Sequence, residues 1–464
     1  MRVWTLFALL VIAVPAPRPL EAVPLQTRLA ILRTEPLEQT RREQDDALLE
    51  APEADVARFL SAGEIAKFHA YRRPRWMRAI ADLAIQGALF FFLVFGRLGS
   101  RIYTACVRWQ QHIEINIARQ PMLGVGPRDR QRLIDKAWGG TDWPAAILFA
   151  LALTSLRCLA LWPTSFVFDW LLSRAHGLSD QALLRWCALA IFQLLKESIG
   201  LAALAFGLWA LLRRLKRVWL WVGVPAGTLI ALLGMLDPMG LKLLNQLTPL
   251  EAGPARTAIE ALLTRTGIDA GQIDRIDAHR DTLTIDALVI GQGKARRIIL
   301  YDTLLAALTP GQIAAVVAHE LGHIKDGARN LRAALGGLAV PILLWLALRF
   351  LGFAARTRRF EFRQVTDIRA LPLLLGAAWF CAVLSGPIAN QFARDRELRA
   401  DLFALDLTRD PESLRAALLV LARKNQVDPA PPFLVAALLA DHPTLTKRLG
   451  VIDAWETAAR VGTR

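Results

Sequence analysis

The chain has 464 residues, 54% of them hydrophobic, with 14 tryptophans and a formal net charge of +15. That length allows several domains, and that apolar content suits a membrane protein. The positive charge does not mark a nucleic-acid binder: its arginines cluster beside apolar runs, as in "YRRPRWMR", "LLRRLKRVW" and "RTRRFEFR", where membrane proteins meet lipid headgroups.

In chain order, "MRVWTLFALLVIAVPAP" opens with one arginine and a short apolar core. Residues 1–16 therefore read as a signal peptide or an uncleaved N-terminal anchor. Residues 17–76 form a charged, soluble helical segment. Apolar runs follow at Trp76 to Leu98, Trp143 to Trp162, Ser198 to Leu212 and Trp219 to Leu236, giving four spans within 77–236, and two more lie at Leu335 to Ala354 and Leu371 to Gln391, within 331–391. Each is close to the roughly 20 residues that cross hydrocarbon. Six such runs do not suit the buried helices of a soluble enzyme. The segment 237–330 differs: "TPLEAGPARTAIEALLTRTGI" reads as an amphipathic helix, and "DTLTIDALVIG" and "ARRIILYD" as two short strands around a glycine-containing turn. Residues 392–464 are helical and polar. The four cysteines, Cys106, Cys158, Cys187 and Cys381, form no C-x-x-C pair and read as small buried apolar side chains.

The stretch "TPGQIAAVVAHELGHIKDG", Thr309 to Gly327, carries the chemistry. Thr309 is a helix N-cap, Pro310 suits the first helical position, and Gln312 completes a capping box. Gly327 can stop the helix. His319 and His323 then lie one turn apart on one face, where both imidazoles can bind one zinc ion. Glu320 stands where it can act as general base toward a zinc-activated water. The preceding "IAAVVA" makes this helix mostly buried, and two histidines and a glutamate are costly there unless metal or hydrogen bonds satisfy them. A catalytic zinc needs a third protein ligand. In "NQFARDRELRADLFALDL", Glu397 and Asp401 share a helix face. Glu397 fits as the ligand and Asp401 as the carboxylate that orients a ligand histidine; a solvated charged helix fits the same residues.

These residues resemble the integral-membrane CAAX prenyl endopeptidases, zinc metallopeptidases with several transmembrane helices. The likeness runs from about Glu64 to Leu449, through "LWPTSFVFDWLLSRAHGLS", "LLNQLTPLEAG", "ARRIILYDTLL", "AAVVAHELGHIK", "RDRELRADLFAL" and "DHPTLTKRLG". It implies a mainly α, multi-spanning protein: six to seven spans ringing a water-filled chamber, with a zincin-like metallopeptidase domain holding a small β element. That domain would comprise 237–330 and 392–464. The resemblance implies one Zn2+ per chain on His319, His323 and Glu397, with Glu320 as general base and Asp401 and Arg394 behind the ligands. His442 resembles the histidine that stabilises the oxyanion, and Arg448 the arginine of the same element. Asp286 and Ala287 stand where the family usually has Asn-Ala in an edge strand that pairs with substrate backbone. Ile324 replaces a common tryptophan. These departures bear on specificity rather than on the zinc core. The fold would also account for polar residues in or beside spans, such as Arg157, Lys196 and Glu197.

The expected function is a membrane-embedded zinc endopeptidase of a bacterial inner membrane, acting on peptide or protein substrates in membrane-protein processing or quality control. Its partners are those substrates and the lipid bilayer, without nucleic acid. A non-catalytic scaffold or chaperone is the alternative, and a transporter fits poorly because no repeated halves appear. Family precedent puts the zinc domain in the cytosol. The positive-inside rule, applied to Arg213, Arg214, Lys216, Arg217 and to Arg356, Arg358, Arg359, Arg363, puts it outside.

Overall fold

The structure, a computed structural model, describes residues 37–119, 143–235, 247–325 and 328–462, apart from 292, 294, 295 and 358. The N-terminal anchor or signal peptide, Gly327 and Arg358 lie outside the described residues. The helices used below are α1 (Leu37–Leu49), α2 (Ala62–Val94), α3 (Leu98–Arg119), α4 (Trp143–Ser165), α5 (Leu183–Arg214), α6 (Gly223–Met235), α7 (Pro254–Thr266), α8 (Pro310–Lys325), α9 (Ala328–Arg356), α10 (Leu371–Thr408), α11 (Pro411–Asn425), α12 (Phe433–Leu439) and α13 (Leu445–Arg460).

Among the described residues, five stretches are long and apolar enough to cross a membrane: Ala62–Val94, Trp143–Ala175, Leu183–Arg214, Ala333–Arg356 and Ile368–Thr408. The sixth expected run, Trp219–Leu236, ends at the edge of the described residues, and the N-terminal run lies outside them. The described part of that sixth run contributes a shorter apolar helix, Val218–Leu232, entered through Arg217 in the left-handed conformation. Its α6 portion packs on α9 with backbones in contact. A Cβ on Gly227 would sit 2.2 Å from the Gly337 carbonyl oxygen, and one on Gly337 2.4 Å from that of Gly227, so only glycine allows this crossing.

Two helices run through the boundaries expected at 76 and 391. α2 starts at Ser61, whose hydroxyl and the Glu64 carboxylate close a capping box, and continues unbroken into the apolar run. α10 leaves its apolar run at Gln391 and continues into the core of the metallopeptidase portion, where Leu398, Leu402 and Leu405 are buried. These continuous helices fix the site rigidly to the membrane bundle. Polar groups within the bundle are mostly paired: Thr164 donates to Asp82 at 2.7 Å, Arg78 bonds Asp169, and Arg157 donates to Gln86 at 3.3 Å. Glu197 accepts from Gln193 at 2.5 Å, and Lys196 is exposed.

The sheet has four strands, β1 (Leu247–Pro249), β2 (Gln272–Ile276), β3 (Ala287–Ile290) and β4 (Arg297–Tyr301), in the order β1-β2-β4-β3. β2 and β4 are parallel, and the two outer pairings are antiparallel. The β3–β4 pair matches the two strands read from sequence. β1 and β2 had no such signal. "QIDRI" carries two charges, yet Asp274 is fully buried in it because Arg297 on β4 donates to its carboxylate at 2.5 Å. A buried carboxylate is tolerated when paired in this way.

Candidate metal centre

α8 begins as its sequence dictates. The Thr309 N–H donates to Gln312 Oε1 at 3.0 Å, and the Gln312 N–H to Thr309 Oγ1 at 3.4 Å. Ile313, Val317 and Leu321 are buried, so α8 is a core helix. Its buried face carries His319 beside α10. The crossing is close at Gly322, inside the His-Glu-Leu-Gly-His motif: a Cβ there would lie 3.0 Å from Ala400 Cα and 3.2 Å from the Ala400 oxygen. This approach brings Glu397 and Asp401, one turn apart on α10, against the two histidines.

His323 Nε2 lies 3.1 Å from Glu397 Oε1, and His319 Nε2 lies 3.4 Å from Glu397 Oε2. Donors on one tetrahedral zinc ion, at about 2.0–2.2 Å each, are about 3.4 Å apart. Two imidazole nitrogens and a carboxylate at these separations fit a divalent metal ion. Behind them, Asp401 Oδ1 lies 2.8 Å from His319 Nδ1. Arg448 on α13 grips that carboxylate with two bonds, Nη2 to Oδ1 at 2.6 Å and Nε to Oδ2 at 2.8 Å. Arg448 thus acts on His319 through Asp401. Burial disfavours a charged His319, but hydrogen bonds to Asp401 and Glu397 outweigh it and hold its pKa at about 9.

Glu320, His442 and Asp286 line one cavity of about 800 Å³ with His319, His323 and Glu397. Burial raises the Glu320 carboxyl above its ordinary value, which suits a group that must take up a proton. His442 Nε2 lies 3.6 Å from Glu397 Oε2. Its Nδ1 sits 2.9 Å from Asp441 Oδ1, and this bond raises the His442 pKa. Asp286 immediately precedes the edge strand β3; its carbonyl accepts from Tyr301 N–H at 3.2 Å, and burial raises its carboxyl. The Arg394 guanidinium is turned toward α12. It donates to the carbonyls of Ala436 and Ala440 at 3.0 and 2.6 Å, anchoring the end of α12 that leads to His442.

Three contributors escaped the sequence reading. Asn425, at the end of α11, accepts from Ile285 N–H at 2.9 Å and donates to Ile285 O at 3.0 Å. Its amide mimics a neighbouring strand and fixes the backbone just ahead of Asp286. Arg72 on α2 donates to the carbonyls of Gln426 and Asn425 at 2.9 and 3.3 Å, tying that clamp to a membrane helix. Asp441 also went unnoticed, although it adjoins His442 in sequence.

A second histidine cluster makes a useful contrast. His279 Nδ1 lies 2.5 Å from Asp302 Oδ2 and 2.7 Å from Asp277 Oδ1. Those are hydrogen-bond lengths, too short for ligands on one ion, and the His279 side chain is 61% exposed.

Residues 249–456 match the family model described as peptidase family M48. The chain is 25% identical to an uncharacterized metalloprotease, YhfN, of Bacillus subtilis, over 89% of this chain and 92% of that protein. It is 26% identical to CAAX prenyl protease 1 of Saccharomyces cerevisiae, over 66% of this chain and 72% of that protein. It is 30% identical to a CAAX prenyl protease 1 homolog of Arabidopsis thaliana, over 46% of this chain and 50% of that protein. The crystal structure of S. mikatae Ste24p shares the fold, with a TM-score of 0.67 and 19% identity over 93% of this chain and 99% of that one. The family works with a metal cofactor on peptide or protein substrates, and the apolar helices make this an integral membrane protein. Residues 249–456 thus match peptidase family M48, and the chain is a metalloprotease related to the CAAX prenyl proteases.

Proposed function

We propose that the chain is a zinc endopeptidase of a bacterial inner membrane, cleaving membrane-associated proteins in processing or quality control. The observation that carries this reading is the convergence of His319 Nε2, His323 Nε2 and a Glu397 carboxylate at 3.1 and 3.4 Å, with Glu320 beside them, on one cavity. These three side chains would hold one zinc ion. When bound, zinc lowers the pKa of water toward neutrality and polarises a carbonyl.

The chain's own residues do the rest. Glu320 takes the proton of the attacking water on its carboxylate and delivers it to the leaving amine. His442, held by Asp441, presents Nε2 to the carbonyl oxygen as it gains charge. Asp401, gripped by Arg448, holds His319 by Nδ1 and so leaves Nε2 facing Glu397, where it would be free to bind the ion. Asp286 and Ala287 offer backbone groups to an extended substrate, at a register that Asn425 fixes. Arg394 sets the approach of the His442 loop.

The curated relatives named for CAAX prenyl substrates suggest that class, but no prenyl-specific residue pattern is evident here, and we favour unmodified membrane proteins. The test is cleavage of a pool of prenylated and plain peptides by the purified protein beside Glu320→Gln. The variant should retain zinc and lose activity by a factor of about 10²–10⁴. Equal cleavage by both proteins would overturn the reading, and cleavage confined to prenylated peptides would overturn the substrate preference.

A further inference from the structure

The outer face of α12 takes no part in the chemistry above. Phe433, Leu434 and Leu438 are 82%, 67% and 48% exposed. Leu434 and Leu438 are four residues apart and share a face, whereas Val435 and Leu439, on the neighbouring face, line the cavity. Large apolar side chains grouped on a short exposed helix mark a contact surface.

The position of α12 tells what it meets. Asn390 on α10 donates to Leu438 O at 3.1 Å, and Arg394 donates to the Ala436 and Ala440 carbonyls. Asn390 and Arg394 flank Gln391, where the apolar run of α10 ends, so α12 lies at the level where this span leaves hydrocarbon. On the same stretch of α10, Ile388 and Phe392 are 51% and 62% exposed and four residues apart. They lie on the side of α10 away from Asn390 and Arg394, so this span still presents large apolar side chains at the depth of α12. Amphipathic segments at this depth place their apolar face at the headgroup–acyl boundary.

We propose that α12 is an interfacial helix, with Phe433, Leu434 and Leu438 seated in the boundary region of the phospholipid bilayer. The bilayer then supports one wall of the cavity, and three residues beyond α12 it also supports His442. This inference rests on the membrane spans and not on the catalytic reading.

The test uses nitroxide labels at Leu434→Cys and Leu438→Cys, in the full chain with Cys106, Cys158, Cys187 and Cys381 replaced by alanine. The protein is reconstituted in phosphatidylethanolamine–phosphatidylglycerol vesicles. Leu384→Cys, on the apolar part of α10, gives the lipid reference, and Arg460→Cys gives the aqueous one. Both α12 labels should be severalfold more accessible to oxygen than to a water-soluble nickel complex, as at position 384. Labels that behave like position 460 would overturn the proposal. Labels shielded from both reagents would overturn it too, because protein would then cover the face. If Leu434→Cys fails to fold, Phe433→Cys gives the same reading.

Discussion

Two clusters among the described residues group histidine with two or more carboxylates, and they differ in ways that matter for a metal. Around His319 and His323 the groups are largely buried, come from two helices that cross at Gly322, and hold their donor atoms 3.1 and 3.4 Å apart. Around His279 the groups come from the turn after β2 and from Asp302 at the start of a short helix, with His279 itself exposed and contacts of 2.5 and 2.7 Å. In the first cluster the crossing of α8 and α10 sets the spacing and leaves the donor atoms near the separation that one ion needs. In the second the side chains close on one another, and Asp302 Oδ1 also accepts from the N–H groups of Ala278 and Thr303, both at 2.9 Å. Residue types alone do not make a metal site; a scaffold that keeps the donors apart does.

Removing a donor should break this contrast most strongly. Glu397→Gln is expected to lose bound zinc and cleavage together, by more than the ~10–100-fold that an outer-shell change costs. Metal analysis of the purified variant checks this, and full zinc occupancy would sink the ligand assignment. Asp401→Asn is the milder change. It should weaken zinc affinity by about 10–100-fold, because His319 loses its carboxylate partner and Arg448 loses its anion. A chelator competition curve that overlays the wild type would show that Asp401 does not act on the metal.

Much of this was legible in the sequence, for local reasons. The capping box at Thr309 and Gln312, the His319–His323 spacing and the Glu397–Asp401 spacing are all set within one helix, so periodicity exposes them. Asn425 was not legible, because its partner Ile285 is 140 residues away and a helix-terminal asparagine looks like any other. Strand β2 hid for a related reason: its polar pattern makes sense only once Arg297 is placed beside Asp274. The crossing of α6 and α9 is another non-local fact, since nothing within Trp219 to Leu236 announces the contact of Gly227 with Gly337. Positions settled by a single helix could be read in advance, and positions settled by a crossing could not.

Gly322 is the position where the crossing itself can be tested. Gly322→Ala places a methyl group 3.0 Å from the Ala400 backbone, so α8 and α10 must part by a few tenths of an ångström. Such overpacking costs about 1–3 kcal/mol and should appear as a lower melting temperature. It should also weaken zinc binding, since Glu397 moves with α10. A variant that melts lower while binding zinc as tightly as the wild type would show that the donor spacing does not depend on this contact.

The smallest effect is expected at the other cluster, and it has a sign. The hydrogen bond that His279 donates to Asp302 and the charge of Asp277 raise the pKa of His279 above its ordinary value of 6.5. A group with a raised folded-state pKa contributes stability that is fully present below its unfolded value and is lost as pH rises through the folded value. Melting curves of the wild type and His279→Ala should therefore differ at acid pH and converge as pH rises past the raised pKa. The exposure of His279 keeps that difference small. Zinc content should be the same in both proteins at every pH. A drop in zinc stoichiometry in His279→Ala would mean that short contacts around an exposed histidine can open to hold an ion, and the contrast between the clusters would fail.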